Sequence, residues 1–581
     1  MDERPGRQLV PPDAVAQEQE IEQLHQEEQI LLVSAHTGLK ELYLNSNTAA
    51  RIEILRWFSQ QRERIFALNI NPEELLAEVN RGQQHVEANN GNQPINDRRR
   101  NPSPPHLVPR NMERPDWDPE ASNAFTSHAG GIYEKIKIPT VCFSIIDIPT
   151  FQRLNNIKQL GVVDRIFRQA VHTRFEHSFG VAELARKVMK KLRKIRKGIT
   201  GNDMLCVIIA GLCHDLGHTP FSRSLSQLIY KFNGNFRHSE MSVKVFDYML
   251  ENEPEVREKL GRYLDDTDFT FIKEMIDPPG TFFDNEGKWM LKGRPRSKYY
   301  LYEIVNNVHH GLDIDKLDYL FRDSHNTGVN IAIGSHFISR FIDGIGVQEI
   351  NGEVRLTFDG KLADDIPDFF NSRNSLSMKA DFHKKVYPLE YQLQKAIELA
   401  ADHLRFRGER GRFKTLKEAL TEPIDMKVYT TLDDHILSLI KNSTSNHPNM
   451  RKAKKCVENI ERRKIHTPIV KIILSDIGLI DYIEAGAGAA ANGIPSLREE
   501  RKIIYKTRHY DFGKGPGVDP SSEVIYRSRS DGNERLRRDT QRNLQSESIV
   551  FVYGPHDMTS DEADSFYQMM DTYLKQQGIA E

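Results

Sequence analysis

Cysteine is scarce in this 581-residue chain. Cys142, Cys206, Cys213 and Cys456 are scattered and form no CxxC pair, so they read as reduced, intracellular thiols rather than a disulfide framework. Long apolar runs are missing too. The longest, around residues 205–213, falls far short of the roughly 20 residues a membrane-spanning helix needs. The opening MDERPGRQLVPPDAVAQEQEIEQ has no apolar signal-peptide core. The expectation is an intracellular chain, nuclear or cytoplasmic, with no membrane partner. Nor does one sign of charge dominate, since 80 Lys and Arg stand against 82 Asp and Glu for a formal charge of −2. That excludes the strong positive field of a dedicated histone-like binder, while local basic stripes could still meet nucleic acid.

The chain does carry a hydrophobic share of 38% and a charged share of 28%, which suits a globular protein with some loose segments. Its length leaves room for about three or four domains. Residues 1–80 are predicted as a helical N-terminal module, on helical spacings such as Ile52, Ile54, Leu55, Phe58 and Leu75, Leu76, Val79. Residues 81–130 change character, with few apolar residues and seven prolines between Pro94 and Pro119. Such a segment cannot bury enough to offset its ordering entropy and is predicted as a linker. Its Arg98-Arg99-Arg100 triplet is either a localisation or anion-binding patch or a solvated run. Residues 131–480 are mostly helical in pattern, with a brief hairpin at 347–358. Residues 481–581 form an α+β lobe, with strands at 503–510, 523–527 and 549–553, loops at 485–493 and 528–547, and a closing helix over 559–577. The fold class is therefore mainly α, a helical core with a smaller α+β C-terminal lobe.

The informative chemistry lies between Arg174 and Asp323. His177 falls in HTRFEHSFGVAELARKVMKKL, which has helical spacing. An apolar helix in LCVIIAGLCHDLGHTPFS then delivers adjacent His214 and Asp215 near its end, with His218 one turn on. Asp313, Asp315 and Asp318 follow in GLDIDKLDYLFRDSHNTG. Imidazole and carboxylate together make a mixed shell suited to Fe, Mn, Zn or Mg, with positions left open for water and phosphate oxygens. A carboxylate in an apolar helical core needs a cation or hydrogen bonds to offset its burial. The alternative is a capping His-Asp pair and a satisfied core histidine.

His177, His214-Asp215 and Asp315, in that order on helices, resemble the H…HD…D signature of the HD-domain phosphohydrolases. The strings IIDIPTFQRLNNIKQLG, RFEHSFGV, IAGLCHDLGHTPFS, LYEIV, DIDKLDYLFRDSHNTG, SRNSL, IERRKI and YDFGKG are similar to the SAM-and-HD-domain deoxynucleoside triphosphate triphosphohydrolases. The resemblance spans about residues 133–573, and no SAM domain is recognised in the first 130. It implies hydrolysis of a dNTP at the α-phosphorus to a deoxynucleoside and inorganic triphosphate. It further implies a transition metal (Fe, Mn or Zn) on His177, His214, Asp215 and Asp315, with Mg accompanying the nucleotide. Arg174, Lys316 and Arg373 would neutralise the triphosphate. Tyr319 would press on the sugar where a ribonucleotide carries its 2′-hydroxyl, Gln159 and Asp323 would hold the 3′-hydroxyl, and Leu160 would also bind substrate. His218 and His238 would serve proton transfer or contact the α-phosphate. Read alone, Lys316 is equally a solvated charge and Tyr319 a core residue.

Departures from the family pattern bear on proton transfer. After PFS the family has a histidine and this chain has Arg223, which could contact phosphate but has too high a pKa to be a general acid. Three residues on, an aspartate that positions that histidine becomes Ser226. Ser239 separates His238 from Glu240, and Ser377 and Asp381 replace a histidine and a tyrosine. The family assembles as a tetramer around guanine nucleotides and dNTPs. Asp147, Gln152 and Arg463 match its guanine-effector pocket, while Asn155 replaces a phosphate-binding arginine and KIPTVCF (137–143) shortens an upstream segment. Phe167, Arg340, Lys361, Lys379, His383 and Lys384 resemble its second effector site, where Asp359 replaces a basic residue. A homo-oligomer, dimer or tetramer, with weaker or different GTP and dNTP dependence is expected.

Three functions follow. The first is a metal-dependent dNTP triphosphohydrolase. The second is a catalytically weakened nucleotide-binding subunit that regulates an active relative, favoured by Arg223, Ser226, Ser239 and Ser377. The third is a nucleic-acid-directed HD protein, a nuclease or single-strand binder, motivated by the basic stretches 186–197 and 451–464. With apolar residues interleaved at helical spacing, those stretches suit a solvated face or a subunit interface better.

Overall fold

The computed structural model describes residues 114–474, 479–497, 501–510, 519–530, 533–538 and 547–577. The helical module expected at 1–80 and the Arg98–Arg100 triplet lie outside the described residues. The last part of the expected linker lies inside them and is tied down. The Asp116 carboxylate accepts from the Gly201 and Asn202 amides, both at 2.7 Å, and Trp117 is buried with its ring edge-on to Phe125. One aromatic anchor and one capping carboxylate outweigh the polar, proline-rich composition around them.

From there the chain makes a short antiparallel pair, β1 (Phe125–Ala129) with β2 (Lys135–Pro139), and enters a helical body. Helix α1 (Arg174–Ile195) starts at a capping box in which Thr173 and Glu176 satisfy each other's backbone amides. Its inward stripe runs through His177, Val181, Leu184, Val188 and Leu192. Helix α2 (Gly201–Cys213), capped by Thr200 and Asp203, is apolar around its whole circumference and is buried accordingly, packed against α1. Helices α3 (Arg223–Asn233), α4 (His238–Asn252), α5 (Asp266–Ile276) and α6 (Ile314–Thr327) follow, with α6 and α5 packing on α1 and α2 respectively.

The predicted hairpin is present as β3 (Ile345–Ile350) and β4 (Glu353–Asp359). Asn351 and Gly352 both have positive φ at its two-residue turn, as a type I′ turn requires. Helices α7 (Asp365–Leu376), α8 (Val386–Ala400) and α9 (Pro448–Glu461) complete the body, so the protein is mainly α.

At the C-terminal end, β5 (Thr467–Leu474), helix α10 (Ile480–Asn492), β6 (Ile504–Tyr510), β7 (Ile525–Ser530), β8 (Asn533–Arg538), β9 (Glu547–Gly554) and helix α11 (Ser560–Gln576) follow in order. A three-stranded antiparallel sheet has the order β5-β9-β6. Alternation along β9 serves both of its faces. Val550 and Val552 meet Ile483, Ala487, Phe566 and Met570 of α10 and α11, and Ile549, Phe551 and Tyr553 meet Tyr387 and Tyr391 of α8.

Two expected loops are corrected. Residues 485–492 lie in α10 and Gly493 caps it, because alanine is the best helix former and small side chains let the helix approach α11 closely. Residues 528–547 contain β8 and parts of two neighbouring strands. β7 pairs in parallel with β4, giving the order β8-β7-β4-β3 and joining part of the 481–581 segment to the main body. All four cysteines are buried, and burial pushes the Cys142, Cys206 and Cys213 thiols up. No helix among the described residues is long and apolar enough to cross a membrane.

Candidate metal centre and active site

Three helices aim four side chains at one point. His177 comes from the second turn of α1, His214 and Asp215 from the end of α2, and Asp315 from the first turn of α6. His177 Nε2 lies 3.2 Å from His214 Nε2, 3.1 Å from Asp315 Oδ1 and 3.5 Å from Asp215 Oδ2. His214 Nε2 lies 3.4 Å from Asp315 Oδ1 and 3.5 Å from Asp215 Oδ1. Ligands about 2.1 Å from a shared ion stand roughly 3.0–3.4 Å from one another, so these separations fit a metal.

The other face of each imidazole decides what these nitrogens can do. His177 Nδ1–H donates to Asp318 Oδ2 at 2.7 Å, and His214 Nδ1–H donates to the Gly211 carbonyl at 2.8 Å. In the neutral rings, only lone pairs are then left at the two Nε2 atoms. Two lone pairs and two carboxylates within 3.5 Å repel unless a cation lies among them. Burial works against charging His177, but Asp315 and Asp318 outweigh it and hold the imidazole up at about 10, so an ion entering here displaces a proton.

Asp318 was in the predicted segment but had no assigned role. It is fully buried, and Arg322 grips it through Nε at 2.8 Å and Nη2 at 3.0 Å. Its spacing of three from Asp315 on a helix was the available signal. Gly180 of α1 must be glycine here, because a Cβ would fall 1.8 Å from Asp318 Oδ1. Such outer partners orient metal-binding histidines. We expect Asp318→Asn to lower metal affinity about 10–100-fold. Titration calorimetry on the folded variant checks this, and unchanged affinity would remove Asp318 from the site.

Asp215 also faces a second cluster. His218 Nε2 is 3.2 Å from Asp215 Oδ1, and the His218 and His238 rings stack at 4.3 Å. Burial, reinforced at His218 by Arg174, lowers both imidazoles and holds His218 well below its ordinary value. Arg174 is buried and fully engaged. It donates to Asp215 Oδ2 at 2.5 Å, Ser222 Oγ at 2.9 Å and the Gln159 carbonyl at 3.2 Å. Burial of Asp215 is opposed chiefly by Arg174, which helps hold its carboxyl well below the usual range.

On the outer side, Asp315, Tyr319 and Asp323 recur at intervals of four along α6. Lys316 Nζ sits 2.7 Å from Asp313, and Arg373 of α7 hydrogen-bonds the Tyr319 phenol. Asp323 pairs with His172 at 2.6 Å, and the Gln159 backbone N–H donates to the His172 carbonyl. Leu160 is half-buried beside them in sequence. Gln159 Oε1 and His218 Nδ1 are buried polar atoms without a hydrogen-bond partner among the described residues, a condition that a polar ligand relieves.

The HD domain family profile matches residues 174–299. Over 444 residues the chain is 35% identical to the deoxynucleoside triphosphate triphosphohydrolase SAMHD1 of Gallus gallus, covering 73% of this chain and 70% of that one. The Xenopus laevis protein of the same name is 35% identical over 451 residues, with the same two shares. The Danio rerio protein is 32% identical over 420 residues, covering 70% of this chain and 66% of that one. This chain belongs to the SAMHD1 family.

Against the family pattern, the altered positions have defined surroundings. Arg223 opens α3 with its side chain 75% exposed, 3.5 Å from Asp381, whose carboxylate also accepts from Ser377 Oγ at 3.3 Å. The Ser226 hydroxyl turns back to the Ser222 carbonyl at 3.3 Å. Phe221 and Ser222, just before Arg223, both have positive φ. Asp434 anchors that turn by accepting from the Phe221 amide at 2.5 Å and the Lys158 amide at 3.1 Å. Sequence spacing held no signal for Asp434.

The residues expected at the two effector sites are spread over several elements. Asp147 is exposed on a cleft of about 1050 Å³ that Trp117, Phe143 and Tyr263 also line. Gln152 donates to the Ile146 carbonyl at 2.8 Å and accepts from Asn155 at 2.9 Å, and Arg463 donates to the Arg165 carbonyl. In the second group, Phe167 meets His383 edge-on at 5.8 Å. Arg340 is matched by Asp365 at 2.7 Å and donates to the Lys361 carbonyl, while Lys379 and Lys384 are exposed.

Proposed function

We propose that the chain hydrolyses deoxynucleoside triphosphates at the α-phosphorus, releasing a deoxynucleoside and inorganic triphosphate. The observation that carries this reading is the pair of imidazole lone pairs facing two carboxylates within 3.5 Å, in a chain of the SAMHD1 family. His177, His214, Asp215 and Asp315 would hold a divalent transition ion, Fe, Mn or Zn, with Mg accompanying the nucleotide. Such an ion supplies Lewis acidity toward a phosphate oxygen and a lowered pKa for the attacking water.

The chain's own residues do the rest. Lys316 and Arg373 provide positive charge for the triphosphate, and Arg174 holds Asp215 in register while compensating its charge. Tyr319 closes the sugar side, where Gln159 and Asp323 supply polar contacts. Neutral His218 can accept a proton at Nδ1, but neither lowered histidine stands ready to donate one at neutral pH. Arg223 cannot donate one either. The departing 5′-oxygen therefore takes its proton from water, which predicts slow turnover. Assembly as a homo-oligomer, dimer or tetramer, with GTP or dNTP effectors at the two outer groups, completes the proposal.

Anion-exchange analysis of products from each dNTP, with Mg²⁺ or Mn²⁺ and with or without GTP, tests it. Inorganic triphosphate and deoxynucleoside should appear together. The surroundings of Arg223 and Ser226 favour a second reading, a nucleotide-binding regulatory subunit. Retained dNTP binding with no product under any of these conditions would replace the first reading by the second.

A further inference from the structure

Helices α6 and α7 pack together, and the side chains they bring to the nucleotide site keep step. Asp315, Tyr319 and Asp323 recur at intervals of four along α6. Arg373, Ser377 and Asp381 recur at the same interval along α7 and the π-helical turn, Ser377–Asp381, that continues it. Such turns are rare and are frequent at functional sites. Moving outward from the metal ligand Asp315, the first rung between the two ladders is the Arg373–Tyr319 hydrogen bond. The next is a pair of carboxylates, Asp323 and Asp381, near enough to repel each other.

That outer rung is short of donors. Asp323 is buried, His172 takes its Oδ1 at 2.6 Å, and no hydrogen bond reaches its Oδ2 among the described residues. Asp381 accepts two hydrogen bonds, both long and both at Oδ2, from Ser377 Oγ at 3.3 Å and Arg223 at 3.5 Å. Arg508, the other cation in range, is committed to Glu390 at 2.6 Å. Burial raises the Asp381 carboxyl, Arg223 opposes that shift and Asp323 adds to it. Gln159, tied by its backbone to His172, contributes a buried Oε1 that also lacks a partner among the described residues.

An acceptor-rich wall of this kind suits hydroxyl groups on neighbouring carbons. Ribose offers two such donors, at its 2′ and 3′ carbons, and deoxyribose one. Acceptors placed for a hydroxyl penalise a sugar that lacks it, because they are then left buried and unpaired. An apolar wall, by contrast, discriminates weakly against an added hydroxyl. Aspartate at 381, where the family pattern has a tyrosine, is both smaller than a ring and an acceptor at two oxygens.

Resting on the hydrolase reading above, we propose that Asp323 and Asp381 receive the vicinal 3′- and 2′-hydroxyls of a ribose, so that ribonucleoside triphosphates are substrates as well as dNTPs. The reaction is the same. Water's oxygen bonds the α-phosphorus, the bond to the 5′-oxygen breaks, and that oxygen takes up a proton in place of the one the water gives up. A ribonucleoside leaves beside inorganic triphosphate. Carboxylates that accept from ribose hydroxyls serve the same purpose in unrelated nucleotide-binding folds.

CTP and dCTP test this, since neither carries the guanine of the expected effector. Inorganic triphosphate released from each by the full chain, with Mn²⁺ and with or without GTP, gives two values of kcat/KM. The value for CTP should equal or exceed that for dCTP. Asp381→Leu removes both acceptors and should lower the CTP-to-dCTP ratio at least about tenfold. Asp381→Asn keeps one acceptor oxygen and should lower it less. Thermal melting establishes that each variant is folded. Product from dCTP with none from CTP overturns the inference and leaves the hydrolase reading standing. So does a ratio that Asp381→Leu leaves unchanged. Product from neither nucleotide sinks the hydrolase reading, and calorimetry with CTP and dCTP then decides the sugar preference alone. Tighter binding of dCTP overturns the inference, and tighter binding of CTP, lost in Asp381→Leu, upholds it.

Discussion

Asp215→Asn is expected to lower dNTP turnover by at least about 10³-fold, some 4 kcal/mol of transition-state stabilisation, and to strip bound metal. The residue serves four partners at once. Its oxygens stand 3.5 Å from both the His177 and His214 imidazoles, 3.2 Å from His218 and 2.5 Å from Arg174. Asparagine keeps the volume and removes the charge, so it pulls an anion from the metal shell and leaves the buried Arg174 cation without its counter-charge. Loss of activity therefore goes with loss of metal. Turnover measured beside metal content by plasma mass spectrometry checks both. A variant that keeps its metal and its rate would place the chemistry elsewhere.

The second large effect runs in the other direction. Arg223→His combined with Ser226→Asp should raise turnover at least tenfold, because a positioned general acid contributes about 10²–10⁴-fold and this chain lacks one at that position. Both residues sit in the first turn of α3 at a spacing of three, so the introduced carboxylate can orient the introduced imidazole and raise its pKa. The exchange costs little, since the Arg223–Asp381 pair is long and exposed. The pH profile is diagnostic. An acid works only while protonated, so the double variant should lose its gain as pH rises through the new histidine's pKa. Arg223→His alone should gain less. Equal rates for the double variant and the natural chain across the pH range would show that proton supply does not limit turnover.

The site was more legible in the sequence than its support. An adjacent His-Asp pair on a helix as apolar as α2 leaves few structural explanations, and the missing ligands could be matched by order along the chain. Asp318 offered only its spacing from Asp315, and Gly180 and Asp434 offered nothing. Their work depends on how two elements align, as where the Gly180 backbone lies against the Asp318 carboxylate. Fold reading failed for a related reason. The AGAGAAANG segment has the low complexity of a loop, yet α10 forms because its alanines favour a helix and its small residues fit beneath α11, the second of which depends on the partner helix. The alternation at β9 was readable because each face meets a different core.

The interior position of all four cysteines has a practical side. Thiols shut inside a packed core are hard to reach, and burial pushes three of the four up, so disulfide exchange, metal-catalysed oxidation and maleimide reagents find little to attack on the folded molecule. The natural chain is thus already a silent background for chemical labelling. A single cysteine placed at the exposed entrance of α3 would react alone. Distance and mobility probes could then be attached without first removing any native residue.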